Sequence, residues 1–146
     1  MPAISFERTA PLPPEEAWRR LTDWPRHADA VPLTRIEVLT PPPTREGTRF
    51  VARSGVGPLA LDDVMEVTVW RPPAGEEPGL CRLEKRGRVI LGWAEIEVHP
   101  GPGGHSRVVW REELRVRFLP SALDPALKSA SHHLFGRAAD HLLRRG

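Results

Sequence analysis

Between Leu33 and Phe118 the sequence is a succession of period-2 segments separated by short runs of turn residues, and this pattern constrains the fold more than any other. The segments are Thr34 to Thr40, Thr48 to Ser54, Leu59 to Trp70, Leu80 to Arg86, Val89 to His99 and Arg107 to Phe118; most are parted by PPPTREG, GVG, PPAGEEPG and PGPGGH. Apolar and polar residues that alternate in this way mark strands with one buried face. Links this short leave no room for a crossover helix, so consecutive strands must run antiparallel.

The flanks complete the order. Ile4 and Phe6 alternate with Ser5 and Glu7 in a further strand that ends at APLPP. Pro13 and Pro14, then Glu15 and Glu16, then Ala17, Trp18 and Leu21 at helical spacing predict a helix start, because proline fits the first turn and acids suit its positive end. Asp23 is placed to cap a second short helix that begins at Trp24 and Pro25 and is stopped by Pro32. After Pro120, Leu123, Leu127, Ala130, Leu134, Ala138 and Leu142 fall at steps of three and four, which predicts a long C-terminal helix with one face to bury. The expected architecture is α+β: a curved seven-stranded antiparallel sheet wrapped around that helix, with two short helices after the first strand.

A chain of 146 residues fits a single domain, 1–146, with a core large enough for a modest cavity. Lys and Arg number 21 against 19 Asp and Glu, and the two signs interleave in EEAWRRLTD and WREELRVR. No single-sign stripe of the kind that tracks phosphates exists, so a nucleic-acid partner is not expected. Cys81 is the one cysteine, which excludes an internal disulfide and thiolate metal clusters, and its strand position reads as a small buried hydrophobe. The N-terminus carries no basic, apolar leader pattern, and no segment approaches the ~18 apolar residues of a membrane span. A cytoplasmic protein is the resulting expectation; the oligomeric state stays open.

Two strands contain an anomaly. In VVWREELRV, Val108, Trp110, Glu112, Leu114 and Val116 share one face, so a carboxylate stands in an apolar column. The other column, Val109, Arg111, Glu113 and Arg115, reads as water-facing. Leu59, Leu61, Asp63, Met65, Val67 and Val69 repeat the anomaly at Asp63. If Glu112 and Asp63 face a cavity, burial raises their pKa and equips them to exchange a proton with a ligand carbonyl. The alternative stays open: strands of this length often carry a bulge that exchanges the faces, and a lone acid near a strand end can simply pair with an arginine.

Phe50, Met65, Leu114 and Trp110 from inward columns, Trp93 from the column of Leu91 and Glu95, and Leu134 of the helix stripe form the candidate apolar ligand-binding set. His133 stands beside the stripe, on a face with Arg137 and His141 that suits an anion, a metal held by the two histidines, or solvent, and the solvated edge is favoured because two histidines eight residues apart are not a ligand pair without a carboxylate. Gly136 in mid-helix suggests close approach to the sheet, at a cost of about 1 kcal/mol relative to alanine. Glycines 55 and 57 give the segment RSGVGPLA the freedom of a lid. The sequence has no tyrosine and no nucleophile elbow, so phenol-assisted and covalent mechanisms are not expected, nor is a cofactor or resident metal.

APLPPEEAWRRLTD followed by WPRHADAVP, then GWAEIEVHPGPGGHSRVVWREELRV, then the proline before the last helix resemble, in order and spacing, the polyketide cyclase/dehydrase and START-like lipid-transfer superfamily (SRPBCC). The resemblance spans the chain. It implies the helix-grip fold and a deep cavity between sheet and last helix for an apolar small molecule. Three functions are compatible with it. One is binding or carrying a polyketide- or lipid-like ligand. A second is a polyketide cyclase, aromatase or dehydratase in which Glu112 or Asp63 moves a proton and Arg53 or Arg82 holds an enolate. The third is a protein-interaction module with a filled core.

Overall fold

The computed structural model describes residues 3–144. Strands β1 (Ala3–Ala10), β2 (Thr34–Val38), β3 (Arg49–Ser54), β4 (Leu61–Arg71), β5 (Gly79–Arg86), β6 (Ile90–Pro100) and β7 (Ser106–Val116) form one sheet in the order β1-β7-β6-β5-β4-β3-β2. Every neighbouring pair is antiparallel, as the short links require. Only the step from β1 to β2 is long, and it carries helices α1 (Pro14–Leu21) and α2 (His27–Ala30). Helix α3 (Asp124–Arg144) follows β7 and lies across the concave face. This is the helix-grip architecture.

Local chemistry explains the helix starts. Pro14 opens α1, Glu15 and Glu16 occupy its first turn, and Arg19 and Arg20 its last. Hydrogen bonds from both arginines pull the Glu16 carboxyl down to about 2, and Ala17, Trp18 and Leu21 are buried. Asp23 holds the N-cap position of a 3-10 turn, Trp24–Arg26, that leads into α2, but its side chain makes no capping bond. Trp24 instead anchors this turn, stacking on Phe50 at 4.6 Å between centroids.

β4 is not one uniform column. A bulge at Thr68 sets Val67 opposite Leu83 and Val69 opposite Arg82, adding one residue and exchanging the faces beyond it. The column therefore runs Asp63, Met65, Val67 and then Trp70, which pairs with Cys81 and meets the Trp18 ring at 5.0 Å. Val69 turns outward, contrary to the alternation expected from the sequence. The bulge lies beyond Asp63 and leaves its orientation inward.

The helix stripe also needs correction. Leu123 belongs to a 3-10 turn ahead of α3 and is 47% exposed, and Ala130 is exposed. The buried residues of α3 are Ser131, Gly136, Ala138, Ala139, Leu142 and Leu143. Thus burial begins at Ser131 and is densest in the C-terminal half, where the helix packs among β1, α1 and α2. A Cβ at Gly136 would lie 2.9 Å from Arg8 Nη2, so the glycine makes room for the end of the Arg8 side chain. Arg8 in turn pairs with Asp140 at 2.7 Å.

The convex face carries an ionic lattice. Arg82 bonds Glu84 and Glu95, Arg111 bonds Glu97, and His99 bonds Glu97. Beneath it Val109, expected to face water, is buried. Among the described residues no helix is long and apolar enough to cross a membrane.

Candidate functional site

Because α3 grips only one end of the concave face, the other end holds space. A cavity of about 220 Å³ lies there. Trp24, Phe50, Met65, Leu83, Trp110 and Phe135 supply most of its wall, and Val31, Thr34, Ser54, Ile90 and Leu114 carry it to the strand ends. At that same end Leu33, Val56 and Phe118 stand exposed in the links around the sheet. The aromatic walls are ordered: Trp110 stacks with Phe6 at 5.8 Å and with Phe135 at 6.2 Å. A filled core does not describe this interior.

The polar end of the cavity is built from three strands. Asp63 of β4, Lys85 of β5 and Glu112 of β7 all line it. Lys85 Nζ donates to Asp63 Oδ2 at 2.7 Å and lies 3.3 Å from Glu112 Oε2. The side chains of Lys85 and Glu112 are each only 2% exposed. β5 and β7 are second neighbours, so their backbones stand ~10 Å apart. The pair can meet because β6 offers only Gly92 and Ala94 between them, opposite Lys85, Leu114 and Glu112.

Burial and charge act differently on Lys85 and Glu112. Burial acts to lower the Lys85 pKa, but the negative charges of Glu112 and Asp63 outweigh it and hold the ammonium above its usual range. For Glu112 burial dominates and raises the pKa; Lys85 and the Trp110 indole, which donates to Oε1 at 3.1 Å, offset this only in part. One ammonium thus serves two carboxyl groups, and the more buried of them is biased toward its acid form. Glu112 Oε2 meets Lys85 at an angle too poor for a hydrogen bond, and both it and Asp63 Oδ1 are buried without a hydrogen-bond partner. His27 closes the wall near Trp110; burial lowers its pKa, and its Nε2 bonds the Leu21 carbonyl at 2.7 Å.

Of the residues singled out from sequence, Glu112, Asp63, Trp110, Leu114, Met65, Phe50 and Leu134 converge on the cavity. Trp93 does not. The column it shares with Leu91 and Glu95 faces outward, where its indole donates to Glu113 at 2.9 Å and Arg82 covers its ring. His133 is exposed one step off the buried face of α3. Arg53 and Arg82 are bound on the outer face to Asp62 and to Glu84 and Glu95. The cation at the cavity is Lys85, which sequence reasoning passed over although it alternates with Cys81 and Leu83 in a buried column. Phe135 and His27 were missed as well. Phe135 required the true phase of α3, whereas nothing local marked His27.

The profile of the family described as polyketide cyclase / dehydrase and lipid transport matches residues 1–145. The chain belongs to this family. No curated protein matches the chain. Similar folds occur in the Zhui aromatase/cyclase from Streptomyces sp. R1128, with a TM-score of 0.71, 12% identity and coverage of 97% of this chain and 90% of that one. The lipid transfer and protein localization domain of human StarD13 gives a TM-score of 0.73, 11% identity and coverage of 94% and 75%. A START superfamily protein from Mycobacterium smegmatis gives 0.70, 12% identity and 97% of both chains. At such identities the likeness is one of fold, the helix-grip fold.

Proposed function

We propose that the protein binds and carries an apolar small molecule, polyketide-like or lipid-like, in the cavity between the sheet and α3. The observation that carries this reading is the cavity itself, about 220 Å³ with a mostly aromatic and aliphatic wall. An apolar cavity of ~150 Å³ suffices for a single benzene ring, so a two-ring body or a folded short chain is the natural scale. The segment around Gly55 and Gly57, both at positive φ, serves in this reading as the lid. The name of one fold neighbour, a lipid transfer domain, points the same way. Native mass spectrometry of protein purified from its own host, followed by denaturing release, tests it. A near-stoichiometric apolar compound is the expected result; protein that emerges empty overturns the carrier.

The Asp63–Lys85–Glu112 cluster favours a second reading, cyclase or dehydratase chemistry. A buried charge cluster is a poor device for stability, and an acid with a raised pKa at a cavity wall is equipped for proton transfer. Asp63 then takes the α-proton of the ligand, the Lys85 ammonium stabilises the enolate oxygen that results, and Glu112 in its acid form gives its proton to the oxygen of the second carbonyl as the enolate carbon adds to it. Turnover of a model poly-β-ketone that is abolished in Glu112→Gln, with the substrate still bound, distinguishes this from carriage.

A further inference from the structure

The polar end of the cavity also constrains the kind of molecule it takes, an inference that rests on the cavity being a binding site. Of the buried carboxyl oxygens there, Asp63 Oδ1 has no hydrogen-bond partner and Glu112 Oε2 has only its misaligned 3.3 Å contact with Lys85. They flank one ammonium, Lys85 Nζ, at the inner end of an otherwise apolar wall. A buried acceptor without a donor is costly, so a ligand or solvent must supply one. A ligand carboxylate cannot. Its own charge would meet two carboxyl groups whose single counter-ion is already shared, in a medium where like charges repel strongly.

We infer that the site selects an uncharged ligand whose buried end bears a hydroxyl, phenolic or enolic, and rejects ligands that present a carboxylate. The hydroxyl donates to Asp63 Oδ1, and its oxygen accepts from Glu112 Oε2 when that group carries its proton, or from Lys85. The apolar body stacks against Trp110 and Phe135. A free fatty acid entering carboxylate first is therefore excluded, although its chain would suit the walls.

Three probes of nearly equal size separate the contributions: 2-naphthol, 2-methylnaphthalene and 2-naphthoate, titrated against the whole chain at neutral pH with Trp fluorescence and calorimetry. The expected order is 2-naphthol tightest, 2-methylnaphthalene weaker by roughly tenfold or more, the contribution of a hydrogen bond to a charged group, and 2-naphthoate weakest. Equal affinity for 2-naphthol and 2-methylnaphthalene, or 2-naphthoate binding as tightly as 2-naphthol, overturns the hydroxyl selection and leaves the cavity reading intact. Failure of all three to bind overturns the cavity reading, and the inference with it.

Discussion

Glu112 and Lys85 both have raised pKa values, the first through burial and the second through its carboxyl neighbours, and because they titrate in different pH ranges their stability effects are separable. The Glu112 pKa is raised above 4.5 chiefly by burial. The stability it contributes in acid form is complete below that value and is lost as pH rises through the folded-state pKa. Glu112→Gln cannot ionise, so its melting temperature is expected to gain on that of the natural chain as pH rises from 4.5. A difference that stays flat with pH would show that Glu112 ionises as freely as in the unfolded chain. Lys85, raised above 10.5, contributes stability that is complete below 10.5 and is lost in strong alkali. Replacing it by methionine strands two carboxyl groups in the interior. Denaturant unfolding of Lys85→Met is expected to show a loss of ~3–5 kcal/mol, most of it recovered when Asp63→Asn and Glu112→Gln are added. An unrecovered loss would mean that Lys85 acts through packing alone. At this scale the sequence was legible where a residue broke an apolar column: Glu112 and Asp63 were visible as exceptions. Lys85 breaks its column in the same way but near a strand end, where a lysine usually reaches solvent.

Among the elements, β4 and β6 owe their form to single residues. Thr68 adds the step that turns Trp70 toward Trp18, and nothing in the alternation of Leu61 to Arg71 locates it, because a bulge is a choice between two registers with the same local chemistry. Gly92 has φ of 127°, and a Cβ there would fall 1.9 Å from the Glu113 carbonyl oxygen. Gly92→Ala therefore combines backbone strain with a clash in the strand pairing, for an expected loss of ~2–4 kcal/mol in chemical denaturation. Gly87→Ala is the control: its Cβ would meet neighbours at 3.5 Å or more, and a change within ~1 kcal/mol is expected. Equal effects would show that β6 tolerates a side chain at the bend. Helix α3 illustrates a different failure of local reading. Its leucines and alanines admit more than one apolar stripe, and the buried one is set by the elements it packs on, β1, α1 and α2.

For the whole molecule, the cavity follows from that partial grip. Ala138 lines it from α3 at 2% exposure. Ala138→Phe fills space at an overpacking cost of ~1–3 kcal/mol, and native mass spectrometry is expected to find any copurifying compound lost from a still-folded protein. Retention of the compound at natural occupancy would place it elsewhere. The strand count, the antiparallel order, the helix starts and the acids in apolar columns were determined by the sequence alone, because turn residues, proline placement and side-chain alternation act over a few neighbours. The tertiary structure alone decided that Lys85 reaches Glu112 across Gly92 and Ala94, that Trp93 and Val69 face outward, and that the interior is hollow. Those outcomes depend on the register between strands and on volumes summed over elements distant in the chain, and no local pattern encodes either.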